Sequence, residues 1–422
     1  MKLSSSIAFF IMAFIIIFNL NGMFYMLLGV LQLMTPILIM CIAVLSLNLY
    51  PKFFEGMGIL GQIYLCVIVG YLILGFVALI NSGAEFKMTY IITNVISVIT
   101  VMCTAAFTYS YLEVRKNSFV TPLFLMVLLS SMSIPFSPIL LLIYKVPPAE
   151  IARGFGFFAN PNEAGILSVL GLGLLLATKL PGYQKILCYC VLLMNTTLTF
   201  SKSAMLLFAM VSFVAFLTSS SKVKFRYSFV ILGAFIIAAY TAPILYGNLE
   251  GVQKRRIDQV LAIATQGEIN ADTTSSRSEL WETGLEKIND NVLLGNGLGQ
   301  LHHMKGGISS LGVDQGVHNV FLMLWGEAGL FVLMGFIFFC CAYLFSWVTL
   351  LKTMPKELLT VTMVSFICLF MDMMSAHNVL NLRMHNLFLG VSIGLFAYYN
   401  RQNQNKLEKN ALAVQQVRNI SE

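Results

Sequence analysis

Four short segments carry residues whose types and spacing suit the handling of an anion and the removal of a proton. The first is Arg153-Gly-Phe-Gly-Phe-Phe-Ala-Asn160-Pro161-Asn162-Glu163. Asn160 suits a helix N-cap, Pro161 the first helical position, and Glu163 the place where a capping box wants Glu. A helix starting there presents N–H groups and a positive dipole end, and Arg153 stands just upstream, so the segment fits an anion site. Ordinary capping beside an interfacial arginine reads the same way. The second segment is Thr273-Thr274-Ser275-Ser276-Arg277-Ser278-Glu279-Leu280-Trp281. Ser276 and Glu279 make a capping-box pattern, and Leu280, Trp281, Gly284, Leu285 and Ile288 form an apolar stripe at helical spacing. This predicts an amphipathic helix lying on the membrane surface or on a helix bundle, with Arg277 in its first turn. The dipole disfavours a cation there unless an anion is near, and a guanidinium grips phosphate with two parallel hydrogen bonds. A plain surface arginine is the alternative.

The third segment is Val317-His318-Asn319-Val320, where a polar stretch re-enters an apolar one. A neutral imidazole there can act as a general base, or simply cap a helix. The fourth is Thr199-Phe200-Ser201-Lys202-Ser203, whose lysine is another cation able to face a phosphate. Weaker features surround these. Gly295-Asn296-Gly297-Leu298-Gly299 lacks the strand, lysine and βαβ context of a nucleotide loop and reads as a turn. His302-His303 has no further ligands at metal spacing, and no Asp-x-Asp pair occurs that would chelate a nucleotide-sugar through a metal. Asp372 lies inside an apolar run, where an ionisable group calls for a partner; His377, Arg383 and His385 follow it. No metal site and no cofactor is expected.

The elements that position these residues are set by composition. Of 422 residues, 58% are hydrophobic and 11% charged, against about 25% charged in soluble domains. Continuous apolar runs of about 20 residues recur, each long enough to cross a hydrocarbon core as a helix, and they do not alternate as barrel strands would. The fold class is therefore all-α, a polytopic membrane protein of about twelve transmembrane helices. The predicted spans are 5–21, 25–49, 57–81, 89–112, 119–144, 162–179, 184–200, 203–219, 227–247, 328–350, 358–376 and 384–400. The net charge of +7 is spread over short loops without an aromatic stripe, which fits membrane topology and not nucleic acid. The first apolar run leads at once into another, so it reads as a span and not as a cleaved signal peptide. All eight cysteines fall in apolar runs, so neither a disulfide framework nor a zinc site is expected.

Lysines and arginines at Lys52, Arg115, Lys179, Lys185, Lys222, Lys352 and in the C-terminal tail outnumber those of the opposite short loops. The positive-inside rule then places both termini in the cytoplasm, as an even number of spans requires. The chain organises as a membrane bundle over 1–247, a large external loop over 248–317, a second membrane bundle over 318–400 and a polar cytoplasmic tail over 401–422. All four chemical segments then face the same, outer side.

Taken in order, Arg153-Gly154 with Asn160-Pro161-Asn162, Ser201-Lys202-Ser203, Ser276-Arg277 with Leu280-Trp281, Leu294-Gly295-Asn296-Gly297, and His318-Asn319 with Glu327-Ala328-Gly329-Leu330 resemble the bacterial O-antigen ligase and O-antigen polymerase superfamily. Relatives often carry arginine where this chain has Lys202. The resemblance implies a fold similar to the GT-C membrane glycosyltransferases, with the large loop in the periplasm and the protein in the bacterial inner membrane. It implies an inverting, metal-independent transfer of a glycan from undecaprenyl pyrophosphate to a saccharide acceptor, either another lipid-linked glycan or the lipid A core. On this reading His318, Arg153 and Arg277 are catalytic, while Asn160, Asn162, Lys202, Trp281 and Asn319 bind substrate. The Asn-Pro-Asn segment leans towards a polymerase. A transporter or flippase of an anionic or lipid-linked solute is the alternative; it would be expected to carry midplane charges or broken spans in matched halves.

The topology has a direct check. A single cysteine introduced at Asn270 of a cysteine-free variant should react with an impermeant thiol reagent in intact cells, and one at Asn410 should not. The opposite pattern would overturn the orientation.

Overall fold

The computed structural model describes residues 2–28, 33–83, 88–115, 119–144, 153–158, 160–218, 254, 258, 271–301, 304–308, 314–376 and 379–421. The predicted span 227–247, most of 248–270, His302, His303 and His377 lie outside these. Helices follow in the order α1 (Leu3–Ile17), α2 (Leu20–Leu28), α3 (Thr35–Leu49), α4 (Phe53–Ser82), α5 (Met88–Arg115), α6 (Val120–Ser131), α7 (Ser137–Tyr144), α8 (Pro161–Ala177), α9 (Gly182–Leu198) and α10 (Lys202–Thr218). They continue with α11 (Ala271–Asp290), α12 (Val320–Ala328), α13 (Leu330–Thr349), α14 (Lys356–Met373) and α15 (Arg383–Ser421). One small departure from all-α is an antiparallel pair, β1 (Met304–Ile308) with β2 (Asp314–Gln315). Glycines at 306, 307, 312 and 316 give that stretch little helix propensity. Among the described residues four helical stretches are long and apolar enough to cross a membrane, or five if Leu3–Ile17 and Leu20–Leu28 count as one broken span.

Several predicted spans are interrupted, each at a residue that explains the break. The predicted 25–49 separates into α2 and α3: Pro36 suits the first turn of α3 but would block a helix running through it. The predicted 119–144 divides at a 3-10 turn, Ile134–Phe136, that contains Pro135. The predicted 328–350 loses its first residues to α12, because Gly329 takes φ 87° and ψ 176° between α12 and α13. A further correction concerns the second chemical segment. The helix begins at Ala271, so Ser276 is no N-cap and Arg277 lies in the second turn. No Gly or Pro stands between 271 and 276 to prevent the extension, and the dipole effect on a cation has largely faded by there.

The chain divides into two compact units that interleave in sequence: Met1–Ile16, Thr35–Phe119 and Arg277–Glu422 form one, Ile17–Met34 and Val120–Ser276 the other. In the first unit α5 packs along α15 and α4. Lipid offers no hydrophobic drive between helices, so small residues that let backbones approach decide such contacts. Gly390 and Gly394 of α15, four apart, lie against Thr104, Thr108 and the Ala105 carbonyl of α5, and Gly56 of α4 lies against the Ala106 backbone. At one end of this unit Lys52 pairs with Glu55 at 2.9 Å and Glu113 at 3.4 Å, and Arg401 with Glu55 at 2.8 Å. These join three points that the charge asymmetry groups on one side, although half-exposed pairs add only about 0–1 kcal/mol each. Asp372 on α14 finds its expected partner in His385 on α15, 2.6 Å away and equally buried.

In the second unit α8 is enclosed by α6, α9 and α10, and every residue from Ala164 to Leu175 is buried. Gly165 brings α8 onto Ala204 of α10, and Gly171 brings it onto Val127 and Leu192. Asn195 of α9 donates to the Ser131 hydroxyl of α6 at 3.1 Å.

A side chain at Gly394 would meet the Ala105 carbonyl at 2.5 Å. Gly394→Val should therefore destabilise the first unit by about 1–3 kcal/mol, as overpacking does, seen as a lower midpoint of thermal unfolding in detergent. An unchanged midpoint would show that the α5–α15 contact is not close.

Candidate functional site

In the second unit the Arg153 segment is held by side-chain hydroxyls and not by regular secondary structure. Ser137 Oγ accepts from the N–H groups of Phe155 and Gly156, each at 2.9 Å, and Ser133 Oγ accepts from Phe157 N–H at 3.0 Å. Gly156 sits at φ +57°, and a Cβ there would fall 2.1 Å from Ser133 Oγ, so the turn needs glycine. The backbone N–H of Gly154 donates to the Leu198 carbonyl at 2.9 Å, which ties the segment to the end of α9.

Arg153 is thereby aimed at the start of α8. Its Nε donates to the Thr199 carbonyl at 3.0 Å and its Nη2 to Asn162 Oδ1 at 2.8 Å. The guanidinium thus spans the α9–α10 turn and the first turn of α8. Asn160 caps α8, its side chain accepting from Asn162 N–H at 2.9 Å with Pro161 following, as the spacing predicts. Such a cap is worth about 1 kcal/mol. Ser201, fully buried, accepts from Ala204 N–H at 3.4 Å at the start of α10, and Lys202 is the first residue of that helix. Gly165 lies against Thr199, Ser201 and Ala204, so the second turn of α8 meets the start of α10. Arg153, Asn160 and Asn162 therefore gather at the start of α8, close to the start of α10, whose first residue is Lys202. Aligned N-terminal dipoles and fixed cations make a positive locus suited to a multiply charged anion.

The remaining predicted residues belong to the first unit. Arg277 is on α11, its side chain outside the description. Leu280, Gly284 and Ile288 of α11 are buried, the half-buried Trp281 has an indole N–H without a hydrogen-bond partner among the described residues, and Leu285 of the predicted stripe is exposed. Gly284 seats α11 against Val317, the neighbour of His318. His318 is half-buried and takes φ +47°, a left-handed conformation uncommon outside glycine. Asn319 caps α12, its Oδ1 accepting from Phe321 N–H at 2.9 Å and Leu322 N–H at 3.1 Å. The amides of Asn160 and Asn319, expected to bind substrate, thus have capping duties.

Other contributors were hidden from sequence reasoning. Ser133 and Ser137 look like ordinary membrane-helix serines, and only Pro135 and Pro138 beside them hint at an irregular backbone. The Gly295–Gly299 turn is a turn, but a buttressed one. Asn296 N–H donates to the Gly326 carbonyl at 2.7 Å, Gly297 N–H to the Glu327 carbonyl at 3.0 Å, and Leu298 N–H to the Gly75 carbonyl at 3.1 Å. Gly295, Gly297 and Gly299 all have positive φ and pack against Glu327, Leu79 and Tyr90, which accounts for the three glycines. Among the described residues no three His, Cys, Asp or Glu side chains gather as metal ligands.

No curated protein matches the chain. Residues 187–337 match the family model described as O-antigen ligase, a stretch that takes in Lys202, Arg277, Trp281, His318 and Asn319 and begins after Arg153, Asn160 and Asn162. The match supports a likeness to the O-antigen ligase and polymerase superfamily over that stretch, and together with the long apolar helices it points to a membrane protein.

Proposed function

We propose that the chain transfers a glycan from undecaprenyl pyrophosphate to a sugar hydroxyl at the outer face of the bacterial inner membrane, inverting the anomeric carbon and using no metal ion. The observation that carries this reading is the Arg153 locus, where a guanidinium bound to Asn162 and to the Thr199 carbonyl stands at the start of α8, close to the start of α10, whose first residue is Lys202. A leaving pyrophosphate gains negative charge as the anomeric C–O bond breaks, and fixed cations and dipoles stabilise that charge without reorganisation. The resemblance gives Arg277 as a second cation for the leaving group's charge. As the acceptor oxygen bonds to the anomeric carbon, its proton passes to an imidazole nitrogen of His318, and the pyrophosphate departs with the electron pair of the broken bond. Trp281 contributes a flat apolar face, which suits a sugar ring. The Asn160-Pro161-Asn162 start of α8 favours a polymerase, in which the acceptor is a second lipid-linked glycan.

Purified protein assayed in excess EDTA with a lipid-linked glycan donor should remain active. Arg153→Ala and Arg277→Ala should each lose at least about a hundredfold in turnover while expressing normally. The lysine variants should recover little, because a point charge lacks the planar two-bond grip. Full activity of both alanine variants, or a loss in EDTA that magnesium restores, would refute the charge-stabilisation scheme.

His318→Gln should lower turnover at saturating donor by about 100- to 10,000-fold and leave donor binding intact. Wild-type turnover should fall as the pH falls, because a protonated imidazole accepts no further proton. A glutamine variant with wild-type turnover would remove His318 as the base; equal losses of turnover and donor binding would make it a donor ligand instead.

A further inference from the structure

Glu327 is fully buried, and both of its carboxylate oxygens are engaged. Tyr71 of α4 donates its hydroxyl to Oε2 at 2.6 Å, and the backbone N–H of Leu301 donates to Oε1 at 3.0 Å. The carbonyl of that same Leu301 accepts from Val317 N–H at 3.1 Å. Val317 immediately precedes His318, whose left-handed backbone is fastened on the other side by the Asn319 cap. Hydrogen bonds therefore link Tyr71 to Glu327, Glu327 to the N–H of Leu301, and the carbonyl of Leu301 to the residue before His318.

A buried carboxylate in an apolar bundle is costly to keep, and packing alone does not call for one. This one meets a specific need. A left-handed residue outside glycine costs about 1–3 kcal/mol and persists only where its surroundings over-determine it. The Glu327 carboxyl holds the backbone of Leu301 by its N–H, and Leu301 in turn holds Val317 by its carbonyl. The Gly297 and Leu298 bonds to α12 and α4 fix the same turn independently. The turn would thus stay in place without Glu327, while the register of Val317 would loosen.

We propose that Glu327 and Tyr71 are positioning residues for His318, setting through Leu301 the backbone conformation in which the imidazole is presented. The proposal rests on the reading of His318 as the general base, and its test separates the two. Tyr71→Phe and Glu327→Gln are the variants; the first removes one hydroxyl and is the milder. Two quantities are measured on purified protein. One is the rate at which diethyl pyrocarbonate modifies His318, followed by peptide mass spectrometry and independent of activity. The other is turnover and donor KM, in the wild-type and His318→Gln backgrounds.

Both variants should change the His318 modification rate. Turnover should fall roughly ten- to a hundredfold, the scale of a small misplacement of a catalytic group, with donor KM within about twofold and no further loss in the His318→Gln background. Unchanged modification together with unchanged turnover in both variants would overturn the positioning role. So would an equal further loss in the His318→Gln background, which marks a merely structural effect. A changed modification rate beside a fully active His318→Gln enzyme would uphold the positioning and refute the base.

Discussion

The buried carboxyl of Glu327 ties together parts of the first unit that lie far apart in sequence. It is fully buried, so its oxygens must be met by protein donors, and it takes them from two elements far apart in sequence: α4 through Tyr71 and the 291–301 turn through Leu301. Its own backbone carbonyl takes a third, from Gly297. Breaking such a set leaves an unpaired polar group in an apolar setting, which is far more destabilising than the net worth of any one bond. The glycines of the turn follow from its close backbone packing. Residues with a Cβ at 295, 297 or 299 would collide with the backbone and side chains that the bonds draw close.

The second unit solves a similar problem with hydroxyls. The stretch before α8 is irregular and runs against the helical bundle, so its N–H groups need acceptors that helix geometry does not supply. Ser133 and Ser137 provide them from the broken α6–α7 corner, and Leu198 provides one from the end of α9. Arg153 then bridges outward from this scaffold to Thr199 and Asn162. The Arg153 and His318 segments thus have the same construction: a capped helix start preceded by non-helical backbone, pinned by buried polar groups. That construction gives a side chain a defined direction at the end of a helix, where dipole and charge act together.

Much of this was legible in the sequence because it is local. Asn160-Pro161 announces a helix start whatever surrounds it, and Asn319 before an apolar run does likewise. The capping box assigned to Ser276 and Glu279 misplaced its helix start for the converse reason: a capping residue permits a start without enforcing one, and nothing upstream stopped the helix before Ala271. The breaks at Pro36 and Gly329 were also written locally, but were masked by hydrophobicity that runs on through them.

The sequence by itself determined the solvent. With 58% hydrophobic and 11% charged residues in long continuous runs, only a bundle of apolar helices satisfies the backbone in lipid. It also determined which residues are chemically able, since arginine, lysine and histidine are rare enough here to be singled out. Tertiary structure alone decided how they are held. That Arg153 leans on Asn162 and Thr199, that Asp372 meets His385, and that Tyr71 reaches Glu327 across 256 positions are matters of helix packing. Hydrogen bonds act over about 3 Å, and no periodicity along the chain encodes which distant residues a fold will bring within that reach.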